Sequence, residues 1–338
     1  MKQVFSYLVI AVVTTVLISC GGDNYGKIML TTETGDPFLK TFTLNLAGSG
    51  LATVDWGDGS KKVSLTLNGD DNQVSFSYDY PNRAIRTINI YGDDITQLEC
   101  RNAISTSIDV SRCTELKKLV VMGDYTTLDI SKNSALTELS STGGLINLDL
   151  SNNIALTTVD VSSNQLTSID VSKCTELLSL TCIGNQLTRL DVSNNPKLEF
   201  LDCASNQMTN LDVGMNTVLN TLDCTYNQLT NLDVNGCKAL IILICFNNQL
   251  TNLDVSGCTA LDRLYCGDNQ LANLDVSDCT QLQMLNCTSN QLTTASLNAL
   301  FSTLHSNLNF KLLNIYNNPG TNNCNRRIAE NKNWLFES

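Results

Sequence analysis

One phrase of 21 residues recurs along most of this chain, and no other feature constrains its fold so strongly. In its purest form it reads LxCxxNQLTNLDVSxCxxLxx. Anchored on the aliphatic residue before an aspartate, it returns at Ile108, Leu128, Leu148, Ile169, Leu190, Leu211, Leu232, Leu253 and Leu274, in steps of 20, 20 and then 21. A second anchor keeps the same spacing at Leu98, Leu119, Leu139, Val159, Leu180, Leu201, Leu222, Leu243, Leu264 and Leu285. A fixed period of this length belongs to stacked units that cannot bury their apolar faces alone and share a core with their neighbours.

Within a unit, triplets such as Leu190-Asp191-Val192 and Leu201-Asp202-Cys203 alternate in, out, in, which predicts two short strands per turn. Neighbouring turns then stack these strands in parallel, about 4.8 Å apart. Asn164, Asn185, Asn206, Asn227, Asn248, Asn269 and Asn290 fall in one column. A buried amide there can satisfy backbone groups of adjacent bends, which an apolar side chain could not. Asp124 and Gly144 interrupt the column, so the first turns are expected to be irregular.

LxxLxCxxNxL followed by LxxLDVSxNxxL resembles two consecutive copies of the leucine-rich repeat consensus LxxLxLxxNxL. Over residues 97–292 the array is similar to the 21-residue, nested class of bacterial leucine-rich repeats. The resemblance implies a mainly β chain whose repeats form a right-handed solenoid of about ten turns that binds proteins or other macromolecules on an exposed sheet.

Residues 1–19 read as a signal peptide, with Lys2 before an apolar run from Val4 to Ile18. At about 15 residues the run is short for a membrane span. Leu17-Ile18-Ser19-Cys20 resembles the lipobox of bacterial lipoproteins, which would make Cys20 the lipid attachment site and residues 20–26 a short lipidated tether. Such a tether resembles surface lipoproteins of the Bacteroides group, implying the cell envelope, outer membrane and surface exposure. Residues 27–96 carry no repeat and read as six short strands, Lys27–Thr32, Phe38–Leu46, Leu51–Trp56, Lys61–Leu67, Val74–Tyr80 and Ile85–Tyr91. Val54-Asp55-Trp56-Gly57-Asp58-Gly59, with Tyr78-Asp79-Tyr80 further on, resembles PKD-like β-sandwich domains. A calcium site at Asp55 and Asp58 is one reading of that motif; aspartates serving an Asp-Gly turn are the other. Residues 293–338 form a C-terminal α/β cap: a helix over Ser296–His305 with Ser296 or Thr294 as N-cap, a strand at Leu312–Tyr316, and a short helix over Asn322–Asn331.

Without residues 1–19 the chain holds 20 basic against 33 acidic residues, a net charge of −13. Nucleic acid is excluded as a partner, because binding it requires basic surface. Seven cysteines form one column (Cys100, Cys182, Cys203, Cys224, Cys245, Cys266, Cys287) and five another (Cys113, Cys174, Cys237, Cys258, Cys279). The second column alternates with Asn133, Asn153, Asn195 and Asn216, so these positions read as small buried residues carrying free thiols, with disulfides or a metal as the competing readings. No zinc spacing such as CxxC occurs, and no metal or cofactor is expected.

The column Asp170, Asp191, Asp212, Asp233, Asp254 and Asp275 points outward. Carboxylates about 5 Å apart in water repel by roughly 1 kcal/mol per pair, so something must offset them. Donors two residues earlier (Ser168, Arg189, Asn210, Asn231, Asn252, Asn273) give a structural answer; a cation-binding ladder and a basic partner give two others. Positions that repeat serve the common fold, whereas positions that vary are free for a partner. Variation concentrates on the outward face of the second strand, where Ile242, Ile244, Phe246 and Tyr265 should cluster as an exposed apolar patch, with Phe200 and Tyr226 as further aromatics. A covering cap or N-terminal domain is the alternative.

Catalysis has little support. His305 is the single histidine, and neither a phosphate-binding loop nor a nucleophile–base pair is present. The expected function is protein–protein interaction by a lipid-anchored envelope protein, in cell adhesion or surface-protein assembly. Carbohydrate capture, with Phe200, Tyr226, Phe246 and Tyr265 stacking on a glycan, is the second reading.

Overall fold

The computed structural model describes residues 26–34, 41–307 and 310–337, with the side chains of 26, 27 and 102–104 left aside. The expected signal peptide, the lipid site at Cys20 and most of the tether lie outside the described residues. Among the described residues no helix is long and apolar enough to cross a membrane.

The N-terminal unit is built from β1 (Gly26–Thr34), β2 (Thr41–Asp55), β3 (Val63–Asp79), β4 (Ala84–Gly92) and β5 (Asp94–Asp109). Six short strands were expected before residue 97; four are found, because β2 and β3 each run through two of them. The reason lies at Gly48 and Gly69, which face each other across the β2–β3 ladder with φ of 140° and 95°. There the paired strands bend without ending, and a Cβ on Gly48 would run into the Asp94 carbonyl. β1 pairs with β4 and β5, and β2 pairs with β4 through Thr53–Asp55 and with β5 through Asn45–Ser49. These pairings close a ring of four strands around Trp56, Phe42, Phe76, Ile88 and Ile90, in place of two separate sandwiched sheets. β5 crosses the expected boundary at residue 96: it belongs to the ring and also pairs in parallel with the first solenoid strand.

From β5 onward the chain is a β-solenoid of about 11 turns. Its strands are β6 (Lys118–Gly123), β7 (Glu138–Gly143), β8 (Thr158–Asp160), β9 (Ser179–Thr181), β10 (Phe200–Asp202), β12 (Thr221–Asp223), β14 (Ile242–Ile244), β15 (Arg263–Tyr265) and β16 (Met284–Asn286). All pair in parallel with residues one period apart in register. The sheet continues through β17 (Lys311–Asn314) and β18 (Trp334–Phe336).

The second expected ladder is largely absent. Of the Leu-Asp-Val triplets, only β11 (Asn210–Asp212) and β13 (Asn231–Asp233) pair as strands. In strand and bend alike the aspartate accepts the backbone N–H two residues later, closing an Asx turn at the end of each triplet.

The asparagine column is bonded throughout. Asn227 Nδ2 donates to the Cys224 carbonyl of its own turn and the Cys203 carbonyl of the preceding one, at 3.1 and 3.0 Å, while its Oδ1 accepts from Met208 N at 3.1 Å. The same pattern joins turns from Asn164 to Asn290 and ends at Asn318 in the cap. Where Asp124 and Gly144 replace asparagine, β6 and β7 run on to six residues and the backbones close in on each other at Gly123 and Gly143, leaving no room for a Cβ.

The cap contains α1 (Thr294–Thr303) and the single turn α2 (Arg327–Glu330); the N-cap of α1 is Thr293, in place of the expected Thr294 or Ser296, its hydroxyl accepting from Ser296 N. The second helix is far shorter than expected: residues 318–324 spend their backbone bonds on turns, anchored by the Thr321 hydroxyl on the Ile315 carbonyl. Lys311 is fully buried, its ammonium shared among the carbonyls of His305, Asn307 and Lys332.

Candidate binding surface

On each solenoid strand the central leucine points into the core and the residues on either side point out, so register alone assembles the outer face. One row across it runs Phe200, Thr221, Ile242, Arg263, Met284; a second runs Thr181, Asp202, Asp223, Ile244, Tyr265, Asn286. Ile242, Ile244, Phe246 and Tyr265 therefore meet on β14, β15 and the bend that follows, each partly exposed. By contrast Val120, in the same column nearer the N-terminus, is buried. Phe200 lies on this face two strands away, separated from Ile242 by Thr221.

The aromatic pair is held in place. Phe246 and Tyr265 have ring centroids 5.9 Å apart at 36°, and the Tyr265 hydroxyl donates to the Met284 sulfur. Gly267 stands where other turns carry Ala204, Thr225 or Thr288, and a Cβ there would run into the Phe246 ring. Gly267 belongs to no motif of the repeat, but a glycine one repeat after a phenylalanine in the same column is a readable sign of a ring laid across the next turn.

Tyr226 borders the patch through its N–H, which donates to the Phe246 carbonyl at 3.1 Å. It is 61 % exposed and holds φ of 52°, in the left-handed region. Every residue preceding a ladder asparagine from Ser163 to Asn317 has positive φ; most are Ser, Gly, Asn or Asp, and Tyr226 is the one bulky case. A bulky L-residue in that conformation is strained, and such strain concentrates at functional positions.

Beside the apolar cluster, Asp202 and Asp223 face outward from adjacent strands. Burial, opposed by the Ala204 N–H and aided by Asp223 and Asp160, raises the Asp202 carboxyl to about 6. No ion pair to Asp202 or Asp223 occurs among the described residues, and Arg263, in the neighbouring row, is bonded to Asp262 at 3.2 Å.

The column of Asp170, Asp191, Asp212, Asp233, Asp254 and Asp275 lies on the other side of each turn. Its carboxylates do not take the donors two residues earlier; Asn231 instead donates to Asn210, and each aspartate accepts from the backbone N–H two residues later at 2.8–3.0 Å. The hydroxyl and N–H of the following serine hold Asp170, Asp191 and Asp254 below the usual carboxylate range. Among the described residues no group of three or more His, Cys, Asp or Glu converges on a metal position. Asp55 is paired with Lys62 and the Gly57 N–H, and Asp58 accepts from Ser60 N and the Tyr78 hydroxyl, so both serve the turn.

No disulfide joins the thirteen described cysteines, and all but Cys324 are buried. Burial pushes Cys182 and Cys287 up to about 12 and holds the four between them well above the ordinary thiol value, so these thiols stay protonated at neutral pH. His305 is used in the cap, its Nε2 2.7 Å from the Leu282 carbonyl and its ring packed edge-on against Trp334.

No family model and no curated protein sequence matches the chain. Similar solved structures do exist. The functional domain of InlJ from Listeria monocytogenes, which includes a cysteine ladder, is 33 % identical with a TM-score of 0.63 over 76 % of this chain; this chain spans only 56 % of that domain's length. Internalin InlF from the same organism (20 % identity, TM-score 0.50, 71 % of this chain and 86 % of that one) and the leucine-rich effector YopM from Yersinia pestis (24 %, 0.51, 59 % and 56 %) share the fold. With its 21-residue period, parallel strands in register and asparagine ladder, the solenoid has the leucine-rich repeat fold, and its structural neighbours are leucine-rich repeat proteins.

Proposed function

We propose that this chain is a protein-binding surface lipoprotein, anchored in the outer membrane through Cys20 and engaging its ligand with the outer sheet face around β14 and β15, in adhesion or surface-protein assembly. The observation that carries the reading is the partly exposed cluster of Ile242, Ile244, Phe246 and Tyr265, pre-arranged by Gly267 and bordered by the strained Tyr226. Apolar clusters of this kind with polar rims mark interaction sites, and aromatic anchors dominate their energetics. The domain division into a lipidated tether, an N-terminal β unit, a solenoid and a cap fits a display role, the N-terminal unit lying between anchor and ligand.

The test is adhesion of cells displaying the full chain, wild type or Ile244→Ser/Tyr265→Ala, to arrays of surface proteins and of glycans. Protein-dependent adhesion that falls at least tenfold in the double variant supports the proposal. Binding confined to glycans and lost in the same variant would favour carbohydrate capture, and adhesion indifferent to the variant would sink both. Anchoring is tested separately, by radiolabelled palmitate incorporation, which the proposal expects to vanish in Cys20→Ser.

A further inference from the structure

Resting on the proposed binding face, we infer that its ligand is an extended polypeptide segment that lies across the strands and places a Lys or Arg against Asp202 and Asp223 while an aromatic or large aliphatic side chain, three or four residues away, packs on Ile244, Phe246 and Tyr265.

Three observations converge on this chemistry. First, the apolar cluster and the two carboxylates share one row of the sheet, in the order Asp202, Asp223, Ile244, Tyr265. With strands about 4.8 Å apart, Tyr265 stands about 10 Å from Asp223 and about 14 Å from Asp202, which an extended chain spans in three to four residues at about 3.3 Å each. Second, the carboxylates lack a cation of their own. Lys238 and Arg263 are the only basic residues between 200 and 292, against nine acidic ones, and Arg263 is committed to Asp262. An acidic patch of this kind favours a cationic partner and repels an acidic one. Third, the carboxylate charge is unnecessary for the bend it sits in. The Ala204 and Thr225 N–H groups bond to Asp202 and Asp223, but in the same column Asn286 and Asn314 accept the equivalent N–H groups of Thr288 and Tyr316 without charge. Two neighbouring aspartates thus stand, partly buried and mutually repelling, where asparagine would do. A cation supplied by the ligand relieves that repulsion, while the aromatic shelf two strands on contributes the apolar contact.

The experiment is selection of a displayed random dodecapeptide library on the full chain, followed by affinity measurement of the enriched peptides. The expected result is enrichment of Lys or Arg three or four positions from an aromatic or large aliphatic residue. Affinity should fall tenfold or more in Asp202→Asn/Asp223→Asn, weaken with added salt in wild type, and lose most of that salt dependence in the double variant. Both substitutions keep the turn acceptor, and an unchanged melting curve at pH 3.5, where the carboxyls are protonated, verifies that the variant is folded. Peptides that depend on Tyr265 but bind Asp202→Asn/Asp223→Asn as well as wild type overturn this inference while leaving the binding face intact. Peptides whose binding survives Tyr265→Ala, or failure to enrich any sequence, overturn the binding face together with the inference.

Discussion

Tyr226 and Asp202 each hold a residue type that the solenoid itself does not require. A bulky L-residue with positive φ costs about 1 kcal/mol relative to its extended or right-handed conformations, and Asn247 occupies the equivalent position of the next turn. Tyr226→Asn is therefore expected to stabilise the protein by about 0.5–1 kcal/mol, read as a higher urea midpoint, while weakening ligand binding. For Asp202 the effect depends on pH. Its folded carboxyl sits at about 6, above the ordinary value of 3.8, so ionisation disfavours the folded state. The resulting penalty is absent below pH 3.8, grows as pH rises from there to 6, and is complete above 6. Because the carboxylate remains partly solvated, only about 1 kcal/mol of the shift is expected to appear as stability. Asp202→Asn should raise the melting temperature by about 2 °C at pH 7.5 and leave it unchanged at pH 3.5. An increase of equal size at both pH values would remove ionisation as the cause. Neither feature was readable from the sequence, where Tyr226 is an exposed aromatic and Asp202 one member of a variable column. The left-handed bend and the partial burial arise only when turns stack. The outward aspartates show the same limit: alternation placed them outside, but their partner is the backbone N–H two residues later, in the paired triplets as in the bent ones, and not a side chain two residues before.

Each turn contains two asparagine or cysteine positions that look alike in the repeat and differ in what they hold. Asn227 fills both its donor and acceptor roles, joining its own turn to the one before through two bonds and bracing its own turn through a third. Asn216, in the alternating column, donates to the Val192 and Asn195 carbonyls but leaves its Oδ1 buried without a partner, as do Asn133, Asn153 and Asn195. Cysteine takes that position in other turns, where the Cys237 thiol reaches the Val213 carbonyl at 3.2 Å. The two substitutions should therefore separate. Asn227→Ala strands a buried N–H and two carbonyls and is expected to cost about 3 kcal/mol or more, whereas Asn216→Cys exchanges two bonds and an orphan oxygen for a thiol and should change stability by less than about 1 kcal/mol. Denaturant midpoints of the two variants check this, and equal losses would contradict the division of roles. The period made the parallel ladder from β8 to β16 readable in advance, because only in-register stacking buries every central leucine. It did not reveal that the Leu-Asp-Val side is mostly bent, since alternation describes side-chain direction and is satisfied by a turn as well as by a strand. Nor did the glycines at 48 and 69 announce themselves as bends within β2 and β3, because a glycine that curves a continuous strand and one that reverses the chain leave the same mark in the sequence.

Across the whole molecule one sheet runs from the N-terminal ring to the cap, so the buried thiols sample its length like marks on a rod. A stack in which each turn touches only its neighbours loses structure from its ends unless those ends are held. At the C-terminal end the cap supplies the hold: Trp334 is fully buried, its indole N–H donates to the His305 carbonyl at 3.0 Å, and the Cys287 thiol lies against the Asn314 carbonyl of β17. Alkylation requires a thiolate, and burial keeps Cys182 and Cys287 protonated up to about 12, so both access and ionisation protect the column in the native state. Among the described cysteines, native protein treated with iodoacetamide at pH 8 should therefore label only the partly exposed Cys324. Trp334→Ala removes the largest side chain of the cap, a change that costs about 3–5 kcal/mol in a packed core. In that variant, peptide-resolved labelling is expected to reach Cys287 and Cys279 first, Cys182 much later and Cys113 and Cys100 last, because opening must pass through Cys266, Cys245, Cys224 and Cys203 before it reaches Cys182. Simultaneous labelling of the column would mean that the asparagine ladder and shared core couple all the turns into one cooperative unit. In that case the binding face around β14 and β15 could not loosen without the whole solenoid, and its rigidity would be a property of the array and independent of the cap.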